Sequence, residues 1–262
     1  MLIDTHCHLD AAEFDEDRTQ VVARAAAGGV RSIVIPAVER GNFDVVARLA
    51  HSTDGAAYAL GIHPMYVERA DEADLEHLRE RIAASIEDPR LVAVGEIGLD
   101  FFVEGLDRER QRRFFVRQLE IAREFNLPVL LHVRRAQDDI LKYLRRTPPP
   151  SGIAHAFNGS LQQAQAFIAQ GCALGFGGAM TFERALQIRR LVTGLPADAH
   201  VLETDAPDIA PAWLARGRNE PGELPAIAEV FANLRQEPVQ TVLKRTSANA
   251  LRALPRLATL LR

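Results

Sequence analysis

Short apolar or β-branched runs recur along the chain, separated by longer stretches in which apolar and charged positions mix at helical spacing. This alternation predicts βα units feeding a parallel sheet. Eight strands are expected, over 2–5, 32–36, 57–61, 92–96, 129–132, 152–155, 173–175 and 201–204. The segments 18–27, 43–50, 74–85, 108–125, 136–144, 160–170 and 184–192 each carry an apolar and a charged face, as helices around a barrel do. Eight units predict an α/β fold closed into a TIM (β/α)₈ barrel.

The punctuation agrees with that rhythm. Gly28, Gly29 and Gly171 supply helix stops, Ser160 after Asn158–Gly159 is an expected N-cap, and Pro148–Pro149–Pro150 is a stiff turn into the sixth strand. Two further helices, 224–234 and 239–254, are expected to cover the bottom or side of the barrel. No low-complexity stretch interrupts the pattern, so residues 1–262 are expected to form one domain.

Composition adds little to the fold and removes several functions. The chain has 47% hydrophobic and 25% charged residues, which is ordinary for a globular protein. Its formal charge of −4 argues against a grip on the nucleic-acid backbone by a broad basic field, although a local basic patch is still allowed. Cys7 and Cys172 cannot build a disulfide framework, and no signal-peptide pattern or 18-residue apolar run is present. A soluble, cytoplasmic, monomeric protein with no membrane contact and no obligatory protein partner is expected.

Candidate chemistry clusters at the ends of the expected strands, which in a parallel barrel share one mouth. His6 and His8 follow the first strand, His63 the third and Asp205 the eighth, while Glu96, His132 and His155 end the fourth, fifth and sixth. His6 and His8 are two apart, so in an extended chain both face one side and can grip one ion, with Cys7 facing the other way as a small buried apolar residue. Taken alone, a His-x-His pair serves equally well as two polar groups satisfied by backbone at a strand end. His6, His8, His132 and His155 with the carboxylates of Glu96 and Asp205, gathered at one end of one barrel, point instead to metal chemistry, with a donor set suited to Zn, Mn, Fe or Co more than Mg.

Six motifs in order carry a family resemblance: DTHCHLD at 4–10, GIHP at 61–64, VGEIGLDF at 94–101, LPVLLHVRRA at 127–136, HAFNGS at 155–160 and LETDAPD at 202–208. The chain resembles the TatD-type metal-dependent deoxyribonucleases of the amidohydrolase-like hydrolases, and within them the YjjV-like branch. The resemblance implies two divalent ions, Zn, Mn or Mg. One would be held by His6, His8 and Asp205, the second by His132 and His155, and Glu96 would bridge them. It also implies catalytic roles for Asp205 and Glu96 on an activated water, with His63 contacting substrate phosphate or shuttling protons.

Arg134 can neutralise a phosphate, or equally sit in a surface ion pair. Arg218 and Asn219 are comparable substrate-binding candidates in the loop after the eighth strand, and Phe101 and Phe102 offer stacking surfaces or plain packing. The chain departs from its expected relatives in RRAQDD after the fifth strand, where Val133, Ala136 and Gln137 stand in place of a Ser and a His, which bears on substrate preference. His51, His77, His200 and Trp213 are expected to be structural or surface residues.

Three functions compete on this reading. The first is a phosphodiesterase releasing nucleotides from the 3′ end of single-stranded DNA, with DNA or a short nucleic acid as partner. The second keeps the metals and cleaves another ester or amide, such as an aminoacyl-tRNA ester. The third is a binding protein without activity, which the intact set of six ligands disfavours.

Overall fold

The computed structural model describes residues 1–215 and 217–261. Its eight parallel strands run in the order of the chain: β1 (Leu2–Asp4), β2 (Val30–Pro36), β3 (Ala56–Leu60), β4 (Leu91–Asp100), β5 (Val129–Arg134), β6 (Gly152–Ala154), β7 (Cys172–Phe176) and β8 (His200–Leu202). The seam between first and last strand is joined by Thr5 N–H donating to Leu202 O at 3.2 Å and Asp205 N–H to His6 O at 2.8 Å. The TIM barrel expected from the sequence is the fold observed.

Seven crossover helices form the outer ring: α1 (Arg18–Ala27), α2 (Phe43–Ser52), α3 (Glu72–Ala84), α4 (Arg108–Glu124), α5 (Gln137–Arg146), α6 (Leu161–Ala169) and α7 (Leu186–Gly194). Ser160 caps α6 as expected: its Oγ accepts from Gln163 N–H at 3.1 Å, and Gln163 Oε1 accepts from Ser160 N–H at 2.9 Å.

Two hydrophobic cores follow from the alternation along the strands. One lies between the strands and the outer helices. The other fills the barrel itself, where Ile3, Val34, Ala59, Val92, Leu130, Ile153 and Val201 meet Ala250, Ala253, Leu254 and Leu257. The last four belong to the chain's end, after α8 (Leu224–Arg235), on or beside α9 (Val239–Ala253) and α10 (Leu257–Leu260). These apolar side chains plug the bottom of the barrel, so polar chemistry has only the top to occupy.

Candidate metal centre

β1 hands over to His6 and His8, β3 to His63, β6 to His155 and β8 to Asp205, while Glu96 and His132 lie inside β4 and β5. All of them reach one point. Glu96, 1% exposed, stands at its centre, and its two oxygens face different partners. Oε2 lies 3.1 Å from His6 Nε2 and 3.5 Å from His8 Nε2. Oε1 lies 2.8 Å from His155 Nε2, 2.9 Å from His132 Nδ1 and 3.3 Å from His63 Nε2. Asp205 Oδ1 joins the first group, 3.6 Å from both His6 Nε2 and His8 Nε2.

Close backbone approach makes this convergence feasible. A Cβ at Gly98, whose φ is +150°, would lie 2.0 Å from His132 O, so β4 and β5 could not pair here with a larger residue. Asp205 (φ 55°), Arg135 (φ 53°), Ala156 (φ 44°) and Ile209 (φ 41°) all occupy the left-handed region and all line the mouth. Backbone strain of this kind collects at functional sites because the surrounding fold must hold it.

Neighbouring groups set the proton on two of the imidazoles, His132 and His63. His132 Nε2 lies 3.0 Å from Asp100 Oδ2, and Asp100 Oδ1 accepts from Phe102 N–H at 2.9 Å and Val103 N–H at 3.0 Å. Despite its burial, the hydrogen bond with His132 and those two amides hold the Asp100 carboxyl down at about 2. It is therefore an anion that draws the His132 proton to Nε2 and leaves the Nδ1 lone pair facing the centre. His63 Nδ1 accepts from Met65 N–H at 3.1 Å, which places its proton on Nε2, pointing at Glu96. Although His63, Glu96 and His132 lie close enough together to ligate an ion, this tautomer makes His63 a donor and not a ligand.

Two buried glutamines seven residues apart on α4 pin the loops that carry these groups. Gln118 exchanges hydrogen bonds of 2.7 and 3.0 Å with the backbone of Ile62, next to His63. Gln111 does the same with Asp100 at 2.9 and 3.0 Å. Asp4 ties β1 to β8 through Thr204 Oγ1 at 2.6 Å, Thr204 N–H at 3.0 Å and His6 N–H at 3.3 Å. Glu203 accepts from the Ala156 amide, and its Oε1 lies 3.9 Å from His155 Nδ1. Burial pushes Glu203 up to about 8 and Asp4 to about 7.

Asp4, Glu203 and Asp100 were not picked out from the sequence, yet a signal was there. Asp4 shares the two-residue period of His6 and His8, Glu203 shares that of Asp205, and Asp100 closes the VGEIGLD run.

The donor set fits metal ions. A carboxylate offers about four lone-pair directions. Glu96 has five imidazole nitrogens within 3.5 Å, more than hydrogen bonding alone can satisfy. Burial drives His6 down to about 3 and His63 to about 4, so both are neutral and His6 has a lone pair to give. Against the same burial, Glu96 raises His8 to about 9 and His155 to about 10, and Glu96 itself is held well below the usual carboxylate range by the surrounding imidazoles. The paired carboxylates thus demand positive charge, which protons supply on these imidazoles and a divalent cation would supply better. His6, His8 and Glu96 present ligand atoms within 4.8 Å of one another, as do His6, His155 and Asp205.

The remaining candidates divide. Arg134, half exposed, lines the mouth with its Cζ 3.9 Å over the Phe102 ring, whereas Phe101 lies beneath Arg108 and Arg112 away from it. Arg218 faces Asp17, with two contacts of 2.7 Å, and is not among the residues lining the mouth. Asn219 is fully buried, its amide donating to Thr204 O and Asp208 O at 2.8 Å, so it shapes the loop after β8. Gln137, in the divergent RRAQDD run, donates to Asn158 O at 2.6 Å. Trp213 bonds Glu223 at 2.7 Å, His51 pairs with Asp88 and His77 stacks on Phe43, all away from the centre.

The mouth above the centre is a cavity of about 1070 Å³ lined by the loops after β1 to β6 and after β8, with Ala179 and Ile188 from beyond β7. Among the described residues no helix is long and apolar enough to cross a membrane.

Comparison with known proteins follows the same lines. A family model described as TatD related DNase matches residues 3–255. The metal-dependent hydrolase YjjV of Escherichia coli K12 is 39% identical over 92% of this chain and 92% of its own length. The crystal structure of YjjV, described as a TatD homologue, superposes with a TM-score of 0.93 over 97% of this chain and 98% of that one, at 37% identity. The 3′-5′ ssDNA/RNA exonuclease TatD of Shigella flexneri is 33% identical over 95% of this chain and 96% of its own.

Proposed function

The chain belongs to the TatD related DNase family of metal-dependent hydrolases, and we propose that it hydrolyses phosphodiester bonds at the 3′ end of single-stranded DNA. The observation that carries this reading is the division of Glu96: Oε2 faces His6 and His8, Oε1 faces His132 and His155. Such a division would give two adjoining ligand sets that share one carboxylate. His6, His8 and Asp205 would hold one divalent ion, His132 and His155 the other. When bound, a pair of ions polarises a phosphoryl oxygen and acidifies a water, the chemistry that in-line phosphodiester cleavage needs.

The chain's own residues supply the rest. Asp205, whose carboxyl is raised by burial, is suited to accept the proton of the attacking water at its carboxylate. His63 Nε2–H is placed to donate to a phosphoryl or leaving oxygen, its direction fixed by the Met65 amide on Nδ1. Asp100 holds His132 in orientation from behind. The name of the Shigella relative supports nucleic acid as the substrate, and the mouth has room for a terminal nucleotide.

A substrate panel of single-stranded DNA, RNA, a dipeptide and an aminoacyl-tRNA, run on wild type and Glu96→Ala, tests this. Metal-dependent release of nucleotides from DNA, abolished in the variant, is the expected result. Cleavage of the ester or amide with DNA left intact would replace the phosphodiester reading by the alternative hydrolase.

A further inference from the structure

Charges around the mouth are segregated by strand. β1 and β5 stand on opposite sides of an eight-stranded barrel. The arc above β8, β1 and β2 carries Asp208, Asp10, Glu13 and Glu39, of which Glu39 has a cation partner in Arg69 at 3.6 Å. The arc above β4 and β5 carries Phe102, Arg134 and Arg135. Its two guanidinium groups lie over one ring, Arg134 at 3.9 Å and Arg135 at 4.7 Å. Phe102 is 44% exposed, unusual for so large an apolar side chain, and among the described residues Arg134 has only a distant carboxylate contact, 3.8 Å to the Asp100 oxygen that His132 already uses.

Each arc has a chemical consequence. A guanidinium stacked on an aromatic ring keeps its N–H edge free, and that edge matches a phosphate. Together with an exposed aromatic it forms the combination on which single-stranded nucleic acids lay a phosphate and a base. On the far side a phosphate would meet carboxylates inside a concave cleft, where like charges repel more strongly than in open water.

Building on the phosphodiester reading above, we propose that Phe102, Arg134 and Arg135 hold the phosphate and base next to the scissile bond on the retained part of the strand. The acidic arc opposite bars the backbone from continuing across the mouth, so the site takes strand ends and not strand interiors. The polarity of the mouth, and not the metal centre, then decides where along a polymer cleavage falls.

Equilibrium binding separates this from the phosphodiester reading. The metal-loaded protein is titrated into fluorescent nine-nucleotide single-stranded DNA with cleavage-resistant phosphorothioate linkages, linear or circular, and anisotropy is followed. Wild type is expected to bind the linear strand at least about tenfold tighter than the circle. Arg134→Ala/Arg135→Ala weakens the linear strand at least about tenfold and, at about 0.7 per phosphate contact, lowers the salt slope by about 1.4. Glu39→Gln/Asp208→Asn brings the circle close to the linear strand. Arg117→Ala/Arg145→Ala, which removes equal charge from the exposed faces of α4 and α5, changes neither.

Equal binding of circle and linear strand by wild type, or an unchanged linear affinity in the Arg134→Ala/Arg135→Ala variant, overturns the proposal. Selective binding of the linear strand with no cleavage of its unmodified counterpart sustains the platform and instead sinks the phosphodiester reading.

Discussion

His132 Nε2 lies 3.0 Å from the ionised carboxylate of Asp100, and this contact decides which ring nitrogen of His132 is free to bind a cation. Asp100→Asn keeps an acceptor for the Phe102 and Val103 amides but can turn an N–H toward His132. The imidazole then moves its proton to Nδ1, where the lone pair was needed. Metal affinity is expected to fall about 10- to 100-fold. Calorimetric titration of the metal-free variant checks this, and an affinity equal to wild type would show that Asp100 does not set the tautomer.

His63 gives the opposite outcome. Its Nε2 carries a proton, so His63→Gln is expected to lower turnover by about 10²- to 10⁴-fold while the bound metal per chain stays as in wild type. Loss of metal with the side chain would place His63 among the ligands.

Much of this centre was legible because strand ends in a parallel barrel share one mouth. The apolar runs located every strand, and His6, His8, His132 and His155 followed directly from them. Asp100 was less visible because β4 runs on to Asp100 where the apolar run suggested Glu96 as the end, which brings a second carboxylate into the strand. Gln111 and Gln118 were invisible for a different reason. Polar residues on a helix read as its wet face, and here they lie on the buried face, where they take up the backbone N–H and C=O of Ile62 and Asp100. Arg218 and Asn219 were read as substrate contacts from loop position alone, whereas their partners Asp17 and Thr204 depend on tertiary contacts that spacing does not encode.

Gly175 leaves the space that Glu203 fills. A Cβ there would lie 2.1 Å from Glu203 Oε2, and Glu203 is buried with its carboxyl tied to the Ala156 amide. Gly175→Ala is expected to cost about 1–3 kcal/mol in stability by overpacking. Urea unfolding measures it; a variant as stable as wild type would mean that Glu203 relocates at no cost.

Far from the centre, His200 is buried between Phe176 and Phe231, and burial lowers it from 6.5 to about 4. The unfolded chain therefore binds this proton more readily than the folded one. Its contribution is fully present above pH 6.5 and is lost as the pH falls from 6.5 toward 4, to a total of roughly 3 kcal/mol. Thermal midpoints of wild type and His200→Leu are expected to converge or cross over this window, with the variant the flatter of the two. Parallel curves would remove His200 from the account of acid sensitivity.

The proposed hydrolysis depends on one carboxylate, Glu96, to organise both the metal centre and the reaction performed there. Metal content and release of nucleotides from 3′-labelled single-stranded DNA, measured on the same preparations of wild type and Glu96→Ala, test it together. Wild type is expected to hold two divalent ions per chain and to release nucleotides until a chelator is added, and the variant to lose both properties. A variant that keeps its ions and its rate would contradict the account.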